Sequence, residues 1–336
     1  MSETSSTTWY RRFGNWLLGP LFSCLLFCFG GLSLRSTRGL ARFAAFLAAP
    51  FLGRRRRVIE ANLRLAFPEL SASEIRALRQ RNIAFMIEFG LDFLQALKHP
   101  ERIKERLCPF ELPAELKNLG QGAIFCSPHL GNWEMLIHFA FVFERPFVLL
   151  AAELSTASLA ALLRKQRSSQ GAVVVSTRGA ALKVRQALQE KKFVGLLNDQ
   201  NISPRHGGIF VEFFGLPATS SRLPAALARR QHALIAAVAC CKAASGHFEL
   251  LYEPLPKPGS EYGSDWELTS ALLAANEKLI RKHPEQYLWV YHRWRYVPSN
   301  IPTRLCRRYP FYARPAKYAC QDEMLESLAK KSEQDE

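Results

Sequence analysis

A histidine and a glutamate five positions apart are the side chains in this sequence whose types and spacing could catalyse a proton transfer. His129 and Glu134 lie in the stretch IFCSPHLGNWE, residues 124–134, where Pro128 and Gly131 favour a turn between an apolar run and a helix. Residues five apart on a regular helix point about 140° away from each other, so the pair can meet only if His129 precedes the helix. Glu134 would then accept a hydrogen bond from one ring nitrogen of His129 and leave the other free as a general base.

Spacing alone leaves other interpretations of this pair open. A histidine beside a glutamate is more often a structural hydrogen bond than a catalytic pair. A zinc-binding helix would need a second histidine four residues from His129, and the sequence has none there. The eight cysteines contain no C-x-x-C, and the sequence has no G-x-S-x-G and no glycine-rich phosphate loop. The sequence therefore predicts neither a metal site nor a cofactor.

Short apolar runs alternate with helix-length stretches over most of the chain, and these elements must position His129. The predicted strands are Ala123–Ser127, Phe147–Ala151, Ala172–Ser176, Phe193–Leu197, Ile209–Phe213, Ala233–Cys240, Phe248–Tyr252 and Tyr287–Val290. The predicted helices are Ser71–Lys98, Trp133–Phe143, Ala157–Ser169, Gly179–Glu190, Arg222–Gln231 and Trp266–His283. Continuous apolar strands joined by helical crossovers predict an α/β fold with a mostly parallel central sheet flanked by helices. Such sheets usually bind ligands at the carboxyl ends of their strands.

The N-terminal region predicts contact with a membrane. Phe13–Leu34 carries no charge over 22 residues. At about 1.5 Å per residue a helix of that length crosses a hydrocarbon core of about 30 Å, so we predict an N-terminal membrane helix. A cleaved signal peptide and a buried helix of a soluble domain are the alternatives. The flank after this segment is the more basic one, which places the bulk of the chain in the cytoplasm.

A second apolar segment, Phe43–Leu52, is too short to span and is predicted to lie on the bilayer surface. The four arginines of Arg54–Arg57 that follow could hold lipid phosphates, or they could form a solvated turn. We therefore divide the chain into a membrane anchor with a basic interfacial segment (1–57), a central domain (58–300), and a basic segment with an acidic mobile tail (301–336).

Composition limits the kinds of partner that the protein can have. Apolar residues make up 48% and charged residues 22% of the 336 residues, which excludes wholesale disorder. The formal net charge of +16 indicates a polyanionic partner: a nucleic acid, an anionic membrane or a phosphorylated substrate. No nucleic-acid-binding motif or basic recognition helix is apparent, so we expect no nucleic acid, although a non-catalytic basic protein that binds nucleic acid or lipid remains the alternative from another class.

Several ordered motifs resemble those of the late acyltransferases of lipid A biosynthesis, which share an H-x-x-x-x-D/E motif with the wider glycerolipid acyltransferases. His-Leu-Gly-Asn-Trp-Glu at 129–134 is a close match to the signature of this family. The resemblance covers roughly residues 10 to 300. Its further motifs are RVIEANL at 57–63, FPE at 67–69, NDQ at 198–200, GIFVEFFGLPAT at 208–219, LAR at 227–229, HPEQYLW at 283–289 and HRWR at 292–295.

This resemblance implies roles for individual residues. His129 would be the general base and Glu134 the carboxylate that orients it. An arginine shortly before Gly171, either Arg167 or Arg164, would stabilise the oxyanion or hold a phosphate. Asp199, with Gln200 beside it, matches a family aspartate at a strand end; capping a turn is an equal alternative for Asp199.

The resemblance also implies a reaction and a location. The donor would be a fatty acyl thioester of acyl carrier protein or of coenzyme A, and the acceptor a hydroxyl of a phosphorylated glycolipid. The catalytic domain would lie on the cytoplasmic side of an anionic bacterial inner membrane. No recognised nucleophile motif lies beside His129, which predicts direct transfer in a ternary complex, with an acyl-enzyme on Cys126 or Ser127 as the alternative. Another phospholipid or glycolipid head group remains open as the acceptor.

Overall fold

A six-stranded sheet runs through the centre of the computed structural model, which describes residues 24–117, 119–143, 146–151, 167 and 172–334. The strands of this sheet are β1 (Ala123–Ser127), β2 (Phe147–Ala151), β3 (Ala172–Ser176), β4 (Phe193–Leu197), β7 (Leu234–Lys242) and β8 (Phe248–Pro254). Their order across the sheet is β3-β2-β4-β1-β7-β8, and every neighbouring pair is parallel except β7 with β8. The predicted α/β fold with a mostly parallel central sheet is therefore confirmed.

Two further strand pairs and a set of helices complete the described elements. The strand pairs are the antiparallel hairpin β5 (Gly208–Phe213) with β6 (Leu216–Ser221), and the short parallel pair β9 (Tyr296–Val297) with β10 (Arg314–Pro315). The α-helices are α1 (Leu34–Ala48), α2 (Gly53–Ala66), α3 (Ala72–Lys98), α4 (Ala114–Lys117), α5 (Ala180–Gln189), α6 (Leu223–Gln231), α7 (Asp265–Lys282), α8 (Thr303–Cys306) and α9 (Asp322–Gln334).

Both faces of the central strand β1 are buried, as a continuous apolar strand requires. Along β1, Ala123 and Phe125 pack on one side in a cluster that includes Phe139 from the 3-10 helix Trp133–Phe143. Ile124 and Cys126 point to the other side, into a cluster with residues of α5, α6 and α7. Alternate residues of one strand thus belong to two different cores, which explains why β1 shows no polar alternation.

The described part of the chain has no helix that is both long and apolar enough to cross a membrane. The predicted membrane helix Phe13–Leu34 falls partly on residues 13–23, which lie outside the described residues. Its described part is helical over residues 24–29 and then turns at Gly30 and Gly31. Helix α1 begins afresh at Leu34, where the hydroxyl of Ser33 accepts a hydrogen bond from the N–H of Ser36 and caps the helix. The predicted membrane helix is therefore not found among the described residues.

Three smaller predictions differ from the structure. Tyr287–Val290 is not a strand, since only Tyr287 makes a bridge, to Leu130. Strand β6 was missed, because Pro217 and small polar residues hide the strand pattern. The predicted mobile tail is helical to Gln334, and its Met324 is buried beside Phe210.

The helix predicted over Ala157–Ser169 lies outside the described residues except for Arg167.

Candidate active site

The turn after β1 holds His129 in a rigid position. Gly131 has a φ of +64°, and a Cβ there would lie 2.0 Å from the carbonyl oxygen of Cys240 on β7. Only glycine fits such a position. The N–H of Asn132 donates to the same carbonyl at 2.7 Å, and the N–H of Leu288 donates to the carbonyl of His129 at 3.0 Å. The turn is thus fixed on both sides before its side chains make any contact.

Parallel pairing of β1 with β4 brings Asp199 to His129. Ser127 at the end of β1 is in register with Leu197 at the end of β4, so the positions two residues further on also face each other. Nδ1 of His129 lies 2.6 Å from Oδ1 of Asp199, and the N–H of His129 donates to Oδ2 at 2.9 Å. Both oxygens of this buried carboxylate therefore hold one residue, its backbone and its ring together.

The prediction that Glu134 orients His129 is wrong in its geometry. Asp199 contacts one ring nitrogen, and Nε2 lies 3.2 Å from the side-chain nitrogen of Gln200. The carboxylate of Glu134 instead binds Arg167, whose Nη2 donates to its two oxygens at 2.8 and 3.0 Å and whose Nε donates at 3.3 Å. The physical reason is that Asp199 follows β4, the neighbour of β1 in the sheet, and therefore lies closer to His129 than Glu134 does. Asp199 is 70 residues away along the chain, so an argument from short sequence spacing does not find it.

Of the two arginines that the resemblance proposed, Arg167 lies at the site. Arg164 lies outside the described residues. The guanidinium of Arg167 and the carboxylate of Glu134 are both mostly buried, and both line the cavity that also contains His129. The site therefore contains two pairs of charged or ionisable groups: His129 with Asp199, and Arg167 with Glu134.

The surroundings of His129 determine its protonation. Burial by itself lowers the pKa of His129, but the charge of Asp199, its hydrogen bond and the charge of Glu134 outweigh burial, so the pKa lies above its ordinary value. Burial likewise raises the pKa of Asp199, but the charge and hydrogen bonds of His129 and the charge of Arg293 outweigh it, so the pKa lies below its ordinary value. Asp199 is thus ionised and accepts from Nδ1–H, so that Nε2 is the nitrogen that accepts a proton when the ring is in its neutral form.

Arg293 links the segment that follows β4 to strand β6. This fully buried guanidinium donates to the carbonyl of Thr219 and the hydroxyl of Ser220, both at 2.5 Å, and to Oδ1 of Asn201 at 3.2 Å. Its positive charge favours ionised Asp199 without touching it. In the sequence Arg293 stands out only as part of the HRWR motif at 292–295, because a buried cation gives no local sequence signal.

A cavity of about 990 Å³ opens beside His129 and Gln200. Its deeper part, here called the apolar lobe, runs along one face of the sheet. The apolar lobe is lined by Phe125, Ile137, Phe139, Phe147, Leu149, Gly195, Val238 and Leu250. Such a slot suits a hydrocarbon chain, and it ends at the imidazole.

The sequence profile of the bacterial lipid A biosynthesis acyltransferases matches residues 5–296. The chain belongs to this family. A comparison with curated proteins gives no match. The acyltransferase profile covers all the site residues named above, and it ends before β10 and α9.

A signal for Asp199 was present in the sequence of this acyltransferase. His129 and Asp199 each stand two residues after a predicted strand, and the predicted ends Ser127 and Leu197 are correct. Two polar residues at equal distances past two parallel strand ends indicate one site if the strands are neighbours. Among the described residues, no group of three or more histidine, cysteine or acidic side chains could hold a metal ion.

Proposed function

We propose that this lipid A family acyltransferase moves a fatty acyl group from a thioester, carried by acyl carrier protein or coenzyme A, to a hydroxyl of a phosphorylated lipid A precursor. The observation that carries the proposal is the 2.6 Å contact between Nδ1 of His129 and Asp199 at the end of the apolar lobe. This arrangement places a proton acceptor next to a slot for the acyl chain.

The proton moves from the acceptor hydroxyl to Nε2 of His129. The side chain of Gln200 must first move away from this nitrogen, which it contacts at 3.2 Å. The hydroxyl oxygen then attacks the thioester carbonyl, and the C–S bond breaks as the imidazolium returns the proton to the leaving sulfur. Asp199 stabilises the imidazolium through Nδ1–H. General base catalysis of this kind typically contributes about 10²- to 10⁴-fold in rate.

Arg167 is the donor that we propose for the tetrahedral oxyanion. Glu134 occupies its Nε and Nη2, which fixes the plane of the guanidinium and leaves Nη1 for the cavity that Arg167 lines. Removing one such donor typically costs about 3 kcal/mol of transition-state stabilisation. The carboxylate of Glu134 therefore acts through Arg167 rather than through the imidazole hydrogen bond.

Direct transfer, without an acyl-enzyme, is the route that we propose. Cys126 points into the opposite core, and burial raises the pKa of its thiol, which disfavours the reactive thiolate. The hydroxyl of Ser127 donates to the carbonyl of Pro128 at 2.8 Å. Neither side chain is hydrogen-bonded to His129, since Asp199 and Gln200 contact its two ring nitrogens.

The close packing at Gly195 in the apolar lobe predicts that a larger residue there limits the length of the acyl chain. A Cβ at this residue of β4 would lie 2.7 Å from Cε1 of Phe147. We expect Gly195→Ala to push this ring into the lobe and to lower kcat/KM for the longest accepted acyl thioester by about tenfold relative to shorter ones. The measurement is a series of thioesters of increasing length. Gly90→Ala is the control, because a methyl group there meets open space. Equal losses at every chain length would contradict the acyl assignment of the lobe.

We further propose that the protein docks on the cytoplasmic surface of the bacterial inner membrane. Phe43, Phe46 and Leu47 form one exposed face of α1, and Phe51 beyond it is 88% exposed. The exposed Arg54 and its neighbours Arg55 and Arg57 border these rings. Exposed aromatic side chains beside exposed arginines suit the interface of an anionic bilayer.

This docking predicts a loss of lipid binding in Phe46→Ser/Phe51→Ser. Burial of a large apolar side chain is worth about 1.5–3 kcal/mol, so the double variant is expected to bind vesicles that contain anionic lipid about 100-fold more weakly. Co-sedimentation with vesicles measures the difference. Leu182→Ser, which alters an equally exposed residue of α5, should bind as the wild type does. A double variant that binds like the wild type would exclude this face.

Mass spectrometry of membrane lipids, with and without the protein, tests the proposed reaction. We expect a mass gain equal to one fatty acyl ester on the lipid A precursor. An unchanged lipid A profile, together with an acyl gain on another phospholipid or glycolipid, would keep the transfer chemistry and replace the acceptor.

A further inference from the structure

The wall of the cavity outside the apolar lobe carries positive charge that no acid of the described wall balances. Arg222, Ala226 and Arg230 belong to this wall, from α6 and from the residue that precedes this helix. Residues four apart lie on one face of a helix, and eight residues span about 12 Å along its axis. We call this stripe, with the adjacent His206, the arginine side of the cavity.

The charges on this side have no anionic partner among the residues that the structure describes. The side chains of Arg222 and Arg230 make no hydrogen bond or ion pair there, and both are exposed. The other charged groups of the described wall are paired: Glu134 with Arg167, and Asp265 with Arg229 at 2.7 Å. Arg222 and Arg230 are therefore two positive charges that no acid of the described wall neutralises.

The arginine side includes the turn at Gly207, which the side chain of Arg222 approaches. Nε of Arg222 passes 4.0 Å from the position of a Cβ on Gly207, a residue with a φ of +82°. Exposed His206 precedes this glycine, and both residues line the cavity. An arginine, a histidine and a second arginine along one wall form a surface that favours an anion.

We propose that Arg222 and Arg230 bind a phosphate group of a substrate while His129 acts on the acyl group. The proposal rests on the proposed function, in which one end of the cavity takes the hydrocarbon chain. Guanidinium groups bind phosphate oxygens in a bidentate manner, and a fixed phosphate would place the acceptor hydroxyl at the imidazole. The phosphate belongs either to the head group of the acceptor or to the phosphodiester of a pantetheine-linked donor, and the experiment separates these sources.

The test compares kinetic constants of Arg222→Gln/Arg230→Gln with those of the wild type. Three constants are measured: KM for the phosphorylated acceptor, KM for the same acceptor after phosphatase treatment, and KM for the donor thioester. We expect the double variant to raise KM for the phosphorylated acceptor by about 100-fold, at about tenfold for each arginine, with little change in kcat. With the dephosphorylated acceptor, the wild type and the variant should have equal KM values. Arg185→Gln, an exposed arginine of α5 outside the cavity, is the control.

The pattern of these constants decides the proposal. A rise in the donor KM alone would support the phosphate site and assign it to the donor. An equal rise for both forms of the acceptor, or no change in any KM, would overturn it. If the wild type acylates neither form of the acceptor, the proposed function is wrong. Calorimetric titration with inorganic pyrophosphate then tests the phosphate site without the reaction. Pyrophosphate binding that the double variant loses would support the site, whereas equal or absent binding would overturn it.

Discussion

Replacing His129 with alanine is expected to lower kcat for acyl transfer by about 10³- to 10⁴-fold, the largest effect of any single change in this protein. The imidazole lines the cavity beside the apolar lobe, and its Nε2 can take the proton of the acceptor hydroxyl once Gln200 moves away. Binding is expected to survive, because the apolar lobe is unchanged. The measurement is the rate of a single turnover at saturating donor and acceptor, which separates chemistry from binding.

A matched variant separates this catalytic effect from loss of the fold. Alanine leaves the buried carboxylate of Asp199 without its ring partner, which destabilises the protein. His129→Gln retains a side-chain donor for Asp199 but provides no base, so it should regain stability and remain inactive. A His129→Gln variant with more than about a tenth of the wild-type rate would contradict the role of the imidazole. An acyl group trapped on Ser127 or Cys126 would contradict direct transfer.

Asp199→Asn is the second change with a large expected effect, about 10²- to 10⁴-fold in kcat. An amide carries no charge to stabilise the imidazolium, and its nitrogen can donate to the ring and impose the wrong tautomer. The free base is the active form of His129, so kcat/KM of the wild type should rise with pH through a pKa above 6.5. Loss of the negative charge lowers this pKa, so the rise should move to lower pH in Asp199→Asn. A pH–rate profile from pH 5 to pH 9 measures both effects.

Glu134→Gln distinguishes the two candidate carboxylates. This variant removes the ion pair with Arg167 but leaves the contact of His129 with Asp199 intact. We expect a lower kcat from the released guanidinium and a smaller shift of the pH–rate profile than in Asp199→Asn, because Glu134 acts on the ring only through its charge. The reverse order of the two shifts would restore Glu134 as the orienting residue.

Local sequence patterns were sufficient wherever a structure depends on near neighbours. Strands β1 and β4 were predicted with their correct ends, because a strand buried on both faces must be apolar throughout and stops where the chain turns polar. Helix α3 follows from the capping box of Ser71 and Glu74, and the structure contains both of its hydrogen bonds. His129 was identified for the same reason, since its turn lies in a short stretch of sequence.

Other features depend on which strands become neighbours, which no local pattern specifies. The insertion of β4 between β1 and β2 brings Asp199 to His129, and β7 on the other side supplies the carbonyl of Cys240 that fixes the turn. The arginine side of the cavity likewise exists because α6 packs against β1 and β7.

The sequence by itself thus determined the family of this chain and its α/β class, and it singled out His129 as the candidate base, since each is encoded in residues close together along the chain. Only the tertiary structure decided which acid contacts His129 and which acid holds Arg167. Hydrogen bonding between side chains depends on distances in space, and the order of strands in the sheet sets those distances.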